Sequence, residues 1–307
     1  MPAHLRSQAA SQPASRFWLS AAPALFVMMW GTGFIGSRYG IPFAEPFTLT
    51  VLRMAVVASI LAVIALATRA PWPQRAADVG HIAVAGLLVH ATYLSGVLYA
   101  ITLQLPLGFV AMIAGLQPVL TAVFAHLLLN ERLNGRQWLG MAMGLGGVAL
   151  VIASKYSLTD SNWAGLAAAG VALAGITAGT LYQKRFCAQM DLRTGGVIQY
   201  TATGITLAVL ALLFETRVVQ WTGQFIFALL WLSIVLSIGA IGLLYVLIRN
   251  GAASKVASLF FLTPAMTALM AYLLFDEALA WTAIAGLALT AAGVALVMRA
   301  ADKPVPQ

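Results

Sequence analysis

The chain has 307 residues, of which 61% are hydrophobic and only 8% charged, against about 25% charged in a soluble globular domain; a soluble fold is excluded, and the expected class is an all-α membrane protein. The formal net charge of +8 does not indicate nucleic acid, because the basic residues stand between apolar runs and form no amphipathic face with interleaved aromatics. The single cysteine, Cys187, excludes an internal disulfide and any CxxC metal site.

Residues 1–16 are rich in Ser, Ala, Gln and Pro and are expected to form a disordered cytosolic tail. The apolar run from Phe17 to Ser37 is longer than the roughly 7–15 residues of a signal-peptide core, so it is expected to stay as the first helix. Crossing about 30 Å of hydrocarbon takes about 20 mostly apolar residues. Ten runs meet this: 17–37, 47–68, 79–101, 106–129, 136–153, 163–184, 194–214, 225–248, 255–275 and 281–299, followed by a short tail, 300–307. Pro42, Pro46, Pro71, Pro73, Asn130, Glu131, Arg132, Ser161 and Asn162 punctuate the joins. The connections are too short for a soluble domain.

Lys and Arg mark cytoplasmic loops. Thirteen fall on the side of the N-terminus: Arg6, Arg16, Arg69, Arg75, Arg132, Arg136, Lys184, Arg185, Arg193, Arg249, Lys255, Arg299 and Lys303. Three fall on the other, Arg38, Lys155 and Arg217, and Arg53 lies inside the second run. Both termini are therefore expected in the cytosol, with ten spans between them. The location implied is the inner (cytoplasmic) membrane, so membrane lipid is a partner.

The chain also repeats. An offset of 146 lays Pro118 on Pro264, Thr121 on Thr267, Glu131 on Glu277 and Gly140 on Gly286, and 15 of the 34 positions from 118 to 151 are identical without a gap. Gly96 and Tyr99 meet Gly242 and Tyr245 at the same offset. Two halves of five spans each, 17–153 and 163–299, must enter the bilayer in opposite senses. The duplicated turn agrees: Asn130-Glu-Arg-Leu-Asn-Gly-Arg136 keeps arginines where Asp276-Glu-Ala-Leu-Ala-Trp-Thr282 has none. Inverted repeats are the architecture of many secondary transporters, with substrate bound near the midplane between the halves.

Trp30-Gly-Thr-Gly-Phe, Arg53, the paired Pro…Glu-x-Leu…Gly…Gly-Val segments and the five-plus-five duplication resemble the drug/metabolite transporter superfamily, EamA family, over residues 17–299. The resemblance implies a ten-helix carrier with a central cavity bordered mainly by helices 1, 3, 4, 6, 8 and 9. Such carriers are often exporters of amino acids or related metabolites. It leaves the substrate open.

All nine carboxylates lie in connections or at helix ends, which disfavours an antiport of cationic drugs built on a mid-membrane carboxylate. Glu131 and Glu277 are polar stops or gate contacts. Arg53 lies about seven residues past Pro46, roughly 10 Å into the bilayer. Burying it costs on the order of 2.5–3.5 kcal/mol on insertion scales; it either holds a substrate carboxylate or a helix C-terminus, or snorkels to the headgroups. His90 and His126 have no acidic neighbour at helical spacing, so no metal site is expected. Gln117 and Thr121 share a face of the fourth run, and Thr263 beside Pro264 repeats Gln117 beside Pro118. A polar group next to a helix-interior proline is either a binding site or a kink. Trp30, Tyr93, Tyr99, Tyr182, Tyr245 and Phe260 would line an aromatic cavity with polar tips, or pack the bundle. The glycines from Gly140 to Gly147 give the fifth run a smooth face, suited to the tenth run or to a second protomer in a homodimer.

No HExxH, GxSxG or paired Asp motif occurs, so catalytic residues and cofactors are not expected. A transporter of a small molecule is the expectation, with a non-transporting receptor or scaffold, or an intramembrane enzyme, as alternatives.

Overall fold

Helix ends in this chain are set by local chemistry that the sequence already displays. Asn162 accepts from the Gly165 amide at 2.9 Å, Asp191 from the Arg193 amide at 2.9 Å, and Thr222 from the Phe225 amide at 3.1 Å; each satisfies an N–H that the first helical turn leaves without a partner. Asn134 and Gln137 cap reciprocally, each side chain accepting from the other's amide at 3.0 and 2.9 Å. Pro46 stands at the first turn of its helix, where its missing N–H costs nothing.

The computed structural model describes residues 13–105, 110, 113–129, 133–153, 162–263, 266, 269–270, 273 and 281–300. In order, the helices are α1 Pro13–Gly40, α2 Pro46–Ala67, α3 Ala76–Thr102, α4 Gln117–Leu129, α5 Gly135–Ala153, α6 Trp163–Phe186, α7 Leu192–Phe214, α8 Gly223–Asn250, α9 Ala253–Ser258 with a tight turn Leu259–Phe261 after it, and α10 Trp281–Ala300. Among the described residues the only strand-like pairing is one bridge, Ala44 to Val219. α1 begins at Pro13, inside the stretch expected as a tail. Glu131 and Glu277 lie outside the described residues. Five helices, α2, α3, α6, α7 and α8, have 22 to 28 residues and the apolar composition to cross a bilayer.

Two of these helices are not α-helical throughout. α3 widens into a π-turn at Leu87–Thr92, and α8 at Trp231–Ala240. Shifting 87–92 by the repeat offset gives 233–238, inside the second π segment. Wide turns of this kind are rare and concentrate at functional sites; here they occupy equivalent places in the two halves.

The halves pack by equivalent elements. α2 lies along α7, α5 along α10, and α4 meets α9, while α1 on α8 is matched by α6 on α3. Glycine brings α5 and α10 together. A Cβ at Gly140 would lie 2.6 Å from the Gly293 carbonyl, and one at Gly147 would lie 2.2 Å from Thr290 Oγ1 and 2.6 Å from the Gly286 carbonyl. Because the later residue of α5 meets the earlier residue of α10, the two helices run antiparallel. Of the two readings of the glycine face, the tenth helix is the one that occupies it.

Where α1 ends, two connections clasp each other. Glu45 accepts from the Thr216 amide and hydroxyl at 2.7 Å and from the Arg217 amide at 3.0 Å. Glu215 returns the contact, accepting at 2.7 Å from the Phe47 and Thr48 amides and from the Thr48 hydroxyl. That places a carboxylate on the amide-rich N-terminus of α2, where negative charge is favoured. On the opposite face, Lys184 Nζ donates to the carbonyls of Ile248 at 2.7 Å and Gly251 at 2.5 Å, closing the C-terminus of α8.

Two outcomes follow from these contacts. Gly147→Val has no room and should cost about 1–3 kcal/mol or more by overpacking, read as a lower melting temperature in detergent. Gly170→Ala, where an added Cβ meets nothing within 4 Å, should be neutral or gain up to about 1 kcal/mol from helix propensity. The Thr216 hydroxyl, chiefly, against a burial penalty and with the Arg217 and Thr216 amides, holds Glu45 below its ordinary 4.5. A lowered carboxylate stabilises the fold above its unfolded value and loses that contribution as pH falls through the native one. The melting temperature should therefore hold from about pH 7 to 5 and decline below about 4.5, with a smaller decline in Glu45→Gln.

Candidate functional site

Arg53 is the constraint around which the interior is arranged. It is 8% exposed, and its Nε donates to Ser237 Oγ at 2.8 Å, so it does not snorkel. Ser237 belongs to the π-turn of α8. Its carbonyl accepts from Tyr200 Oη at 2.6 Å, and the Tyr200 ring stacks on His90, in the π-turn of α3, with centroids 4.4 Å apart. α2, α3, α7 and α8 thus meet at one polar knot.

Beside the knot is a cavity of about 50 Å³, lined by Trp30, Gly33 and Ser37 of α1, Arg53 of α2, Val89, His90, Tyr93, Leu94 and Val97 of α3, and Leu232, Leu236 and Ile241 of α8. That is room for water molecules only, at about 10–15 Å³ each on this measure. A metabolite would fit only if the helices around it separated. One wall is aromatic: Trp30 stacks on Tyr93 at 6.1 Å, and Phe260 of the turn after α9 meets Trp30 edge-on at 4.9 Å and Phe26 at 5.2 Å.

A larger space of about 610 Å³ opens between α1, α9 and α10, lined by apolar residues including Val27, Leu259, Met266, Leu287 and Val294. Among the described residues, its lining carries no charge and no hydrogen-bonding side chain to orient a polar metabolite. The small polar cavity is therefore the candidate site despite its size, since a few placed polar groups fix specificity.

The structure gathers the sequence candidates into separate groups. Trp30, Arg53 and Tyr93 line one cavity, and Phe260 packs edge-on against Trp30 outside its lining. Tyr245 sits in an adjoining chain of buried groups: its Oη donates to Gln199 Oε1 at 2.9 Å, and Gln199 Nε2 donates to Gln183 Oε1 at 3.0 Å. Gln117 donates Nε2 to Thr121 Oγ1 at 3.2 Å, both fully buried on α4, and Thr263 is buried next to Pro264, which lies outside the described residues. Tyr99 packs on Phe47 at 4.8 Å by the clasp. Tyr182 accompanies His81, whose Nδ1 is 2.7 Å from its hydroxyl, near the other face. His126 is exposed on α4. Cys187, buried at the end of α6, has its thiol pushed up to about 11 by burial and, secondarily, by the Asp78 carboxylate, so it is an inert thiol.

Ser237, Tyr200, Gln199, Gln183 and Ser37 were absent from the sequence reading of the site. A signal existed for the glutamines, since each is a polar side chain inside an apolar run. Ser237 carried only the logic that a buried guanidinium needs an acceptor.

Comparisons place this geometry among known proteins. The model of the "EamA-like transporter family" matches residues 17–153 and 162–299. "Uncharacterized transporter YvbV" of Bacillus subtilis (strain 168) is 28% identical over 282 residues, 89% of each chain. The "Probable terminal-alkyne amino-acid exporter" of Streptantibioticus cattleyicolor is 29% identical over 285 residues, 91% of this chain and 92% of its own. A solved crystal structure, 21% identical, superposes with a TM-score of 0.75 over 91% of this chain and 96% of that one, which speaks to the fold.

Ser237→Ala should leave Arg53 Nε without its acceptor and cost about 1–3 kcal/mol, read as a lower melting temperature. Ser233→Ala, which removes only a bond to the Leu229 carbonyl one turn back in the same helix, should cost clearly less. Cys187 should alkylate about a hundredfold more slowly than a free thiol at about pH 7.5, given a shift from 9.0 to about 11, as followed by mass spectrometry.

Proposed function

The chain belongs to the EamA-like transporter family, and on that premise we propose that it is a secondary active transporter exporting small amino-acid-like metabolites across the cytoplasmic membrane by alternating access. Its ten spans form two inverted five-helix repeats, with both termini in the cytosol. The antiparallel packing of α5 on α10 supports the inversion, because these are equivalent helices of the two copies. The export reading draws on the amino-acid exporter with which the chain shares 29% identity.

The observation that carries the proposal is Arg53, a permanent cation buried beside a cavity that the π-turns of both halves enclose. A fold retains such a charge within a membrane span for a ligand or a charge pathway. Its planar fork suits a carboxylate, and the Trp30–Tyr93 wall suits an apolar side chain. In the compact arrangement the Glu45–Glu215 clasp seals the outer end, and Lys184 with Arg249 ties the inner end. Transport consists of releasing one seal while the other holds, as the halves rock about the shared site.

Purified protein in liposomes should show counterflow of labelled L-amino acids. Arg53→Gln should lower it at least tenfold, and Arg53→Lys should be intermediate, retaining charge without the fork. Normal flux in well-folded Arg53→Gln would return the residue to a structural role. A reporter after Gln307 should be active only in the cytosol and one near Thr159 only outside; both on one side would remove the inverted repeat.

A further inference from the structure

His90 is the part of the cavity that packing and Arg53 leave unexplained. It is 1% exposed, it lines the cavity, and its Nε2 is buried with no hydrogen-bond partner among the described residues. A buried polar atom without a partner is destabilising and uncommon in native structures, and the residue that carries it lines the cavity together with Arg53. It also sits in the π-turn of α3, opposite the π-turn that supplies Ser237.

The ring's chemistry narrows what it wants. Arg53 from α2, Tyr93 from α3 and Tyr200 from α7 are the titratable groups around it, and Arg53 is the permanent cation among them. A second positive charge beside a guanidinium in a low-dielectric space is opposed by Coulomb repulsion, so the imidazole is neutral. A neutral imidazole has one N–H nitrogen and one lone-pair nitrogen, and the positive charge of Arg53, which lines the same cavity, favours a lone pair at the unpartnered Nε2.

Resting on the transport reading above, we propose that His90 Nε2 accepts a hydrogen bond from an ammonium or other N–H group of the ligand whose anionic end Arg53 holds, making the site selective for zwitterions over simple anions. Arg53 supplies affinity for the carboxylate. His90 supplies the discrimination between an amino acid and its des-amino counterpart, because a site built to pair a donor rejects the analogue that lacks it. Tyr200, stacked on the ring, holds the imidazole in place.

The test is binding of labelled L-leucine and L-phenylalanine, each against the des-amino acid with the same side chain, to purified protein in lipid. Wild type should prefer both amino acids. His90→Leu should weaken amino-acid binding about 10- to 100-fold and leave the des-amino acids within about threefold, while His90→Gln, which offers an acceptor, should recover part of the preference. Melting temperature and gel filtration establish that the variants are folded. Equal loss for both ligand classes, or an unchanged preference in His90→Leu, overturns the proposal and leaves the transporter reading standing. Wild-type protein that binds neither class, with Arg53→Gln indistinguishable from it, overturns the transporter reading and this inference together.

Discussion

A guanidinium cannot sit within an apolar helix bundle without an acceptor. Arg53 enters on α2, and among the described residues no carboxylate pairs with it; the acceptor is a serine hydroxyl 184 positions away on α8. That single bond joins the first half of the chain to the second at the level of the cavity. Tyr200 and His90 are then arranged around the same serine, so four helices take their lateral positions from one buried charge. The cost of insertion, of order 2.5–3.5 kcal/mol on insertion scales, is offset only partly by a neutral acceptor. A carboxylate ligand would complete the pairing.

The repeat supplies the geometry that makes this possible. Equivalent helices pack on one another with glycines at their closest approach, so each half completes the other. The π-turns extend the same logic. Each widens its helix at the point where side chains must converge, and the offset of 146 carries one onto the other. The helix with the second π-turn, α8, is among the most apolar of the chain, with a span hydropathy of 2.5, which makes the two serines inside it, Ser233 and Ser237, its distinctive polar feature.

Sequence reasoning reached the duplication, the helical class and the need of Arg53 for a partner inside the bundle, because each rests on pattern or on solvation cost that holds wherever the residue ends up. Of the aromatic residues expected to line a cavity, Trp30 and Tyr93 border the one beside Arg53, while Phe260 packs on Trp30. The emphasis on Gln117 and Thr263 came from proline positions; in the structure Gln117 pairs with Thr121 on its own helix, and the charged cavity is bordered by α1, α2, α3 and α8. Tyr99 and Tyr182 illustrate the limit. Both are aromatic with a polar tip inside an apolar run, yet one ends by the clasp and the other by His81, since helical register and span depth are set by tertiary packing. The π-turns have no signature in Leu-Leu-Val-His-Ala-Thr or in Trp-Leu-Ser-Ile-Val-Leu-Ser, so the partners they bring to Arg53 were hidden.

The central claim is that the Arg53 charge faces a space that opens to water during a working cycle. Ser37 lines the same cavity from α1. In a Cys187→Ala background, Ser37→Cys should be modified by an anionic methanethiosulfonate faster than by a cationic one of similar size, and Arg53→Gln should abolish that preference. Labelling that ignores the charge at position 53, or a cysteine that stays unreactive in protein that transports, would contradict the account.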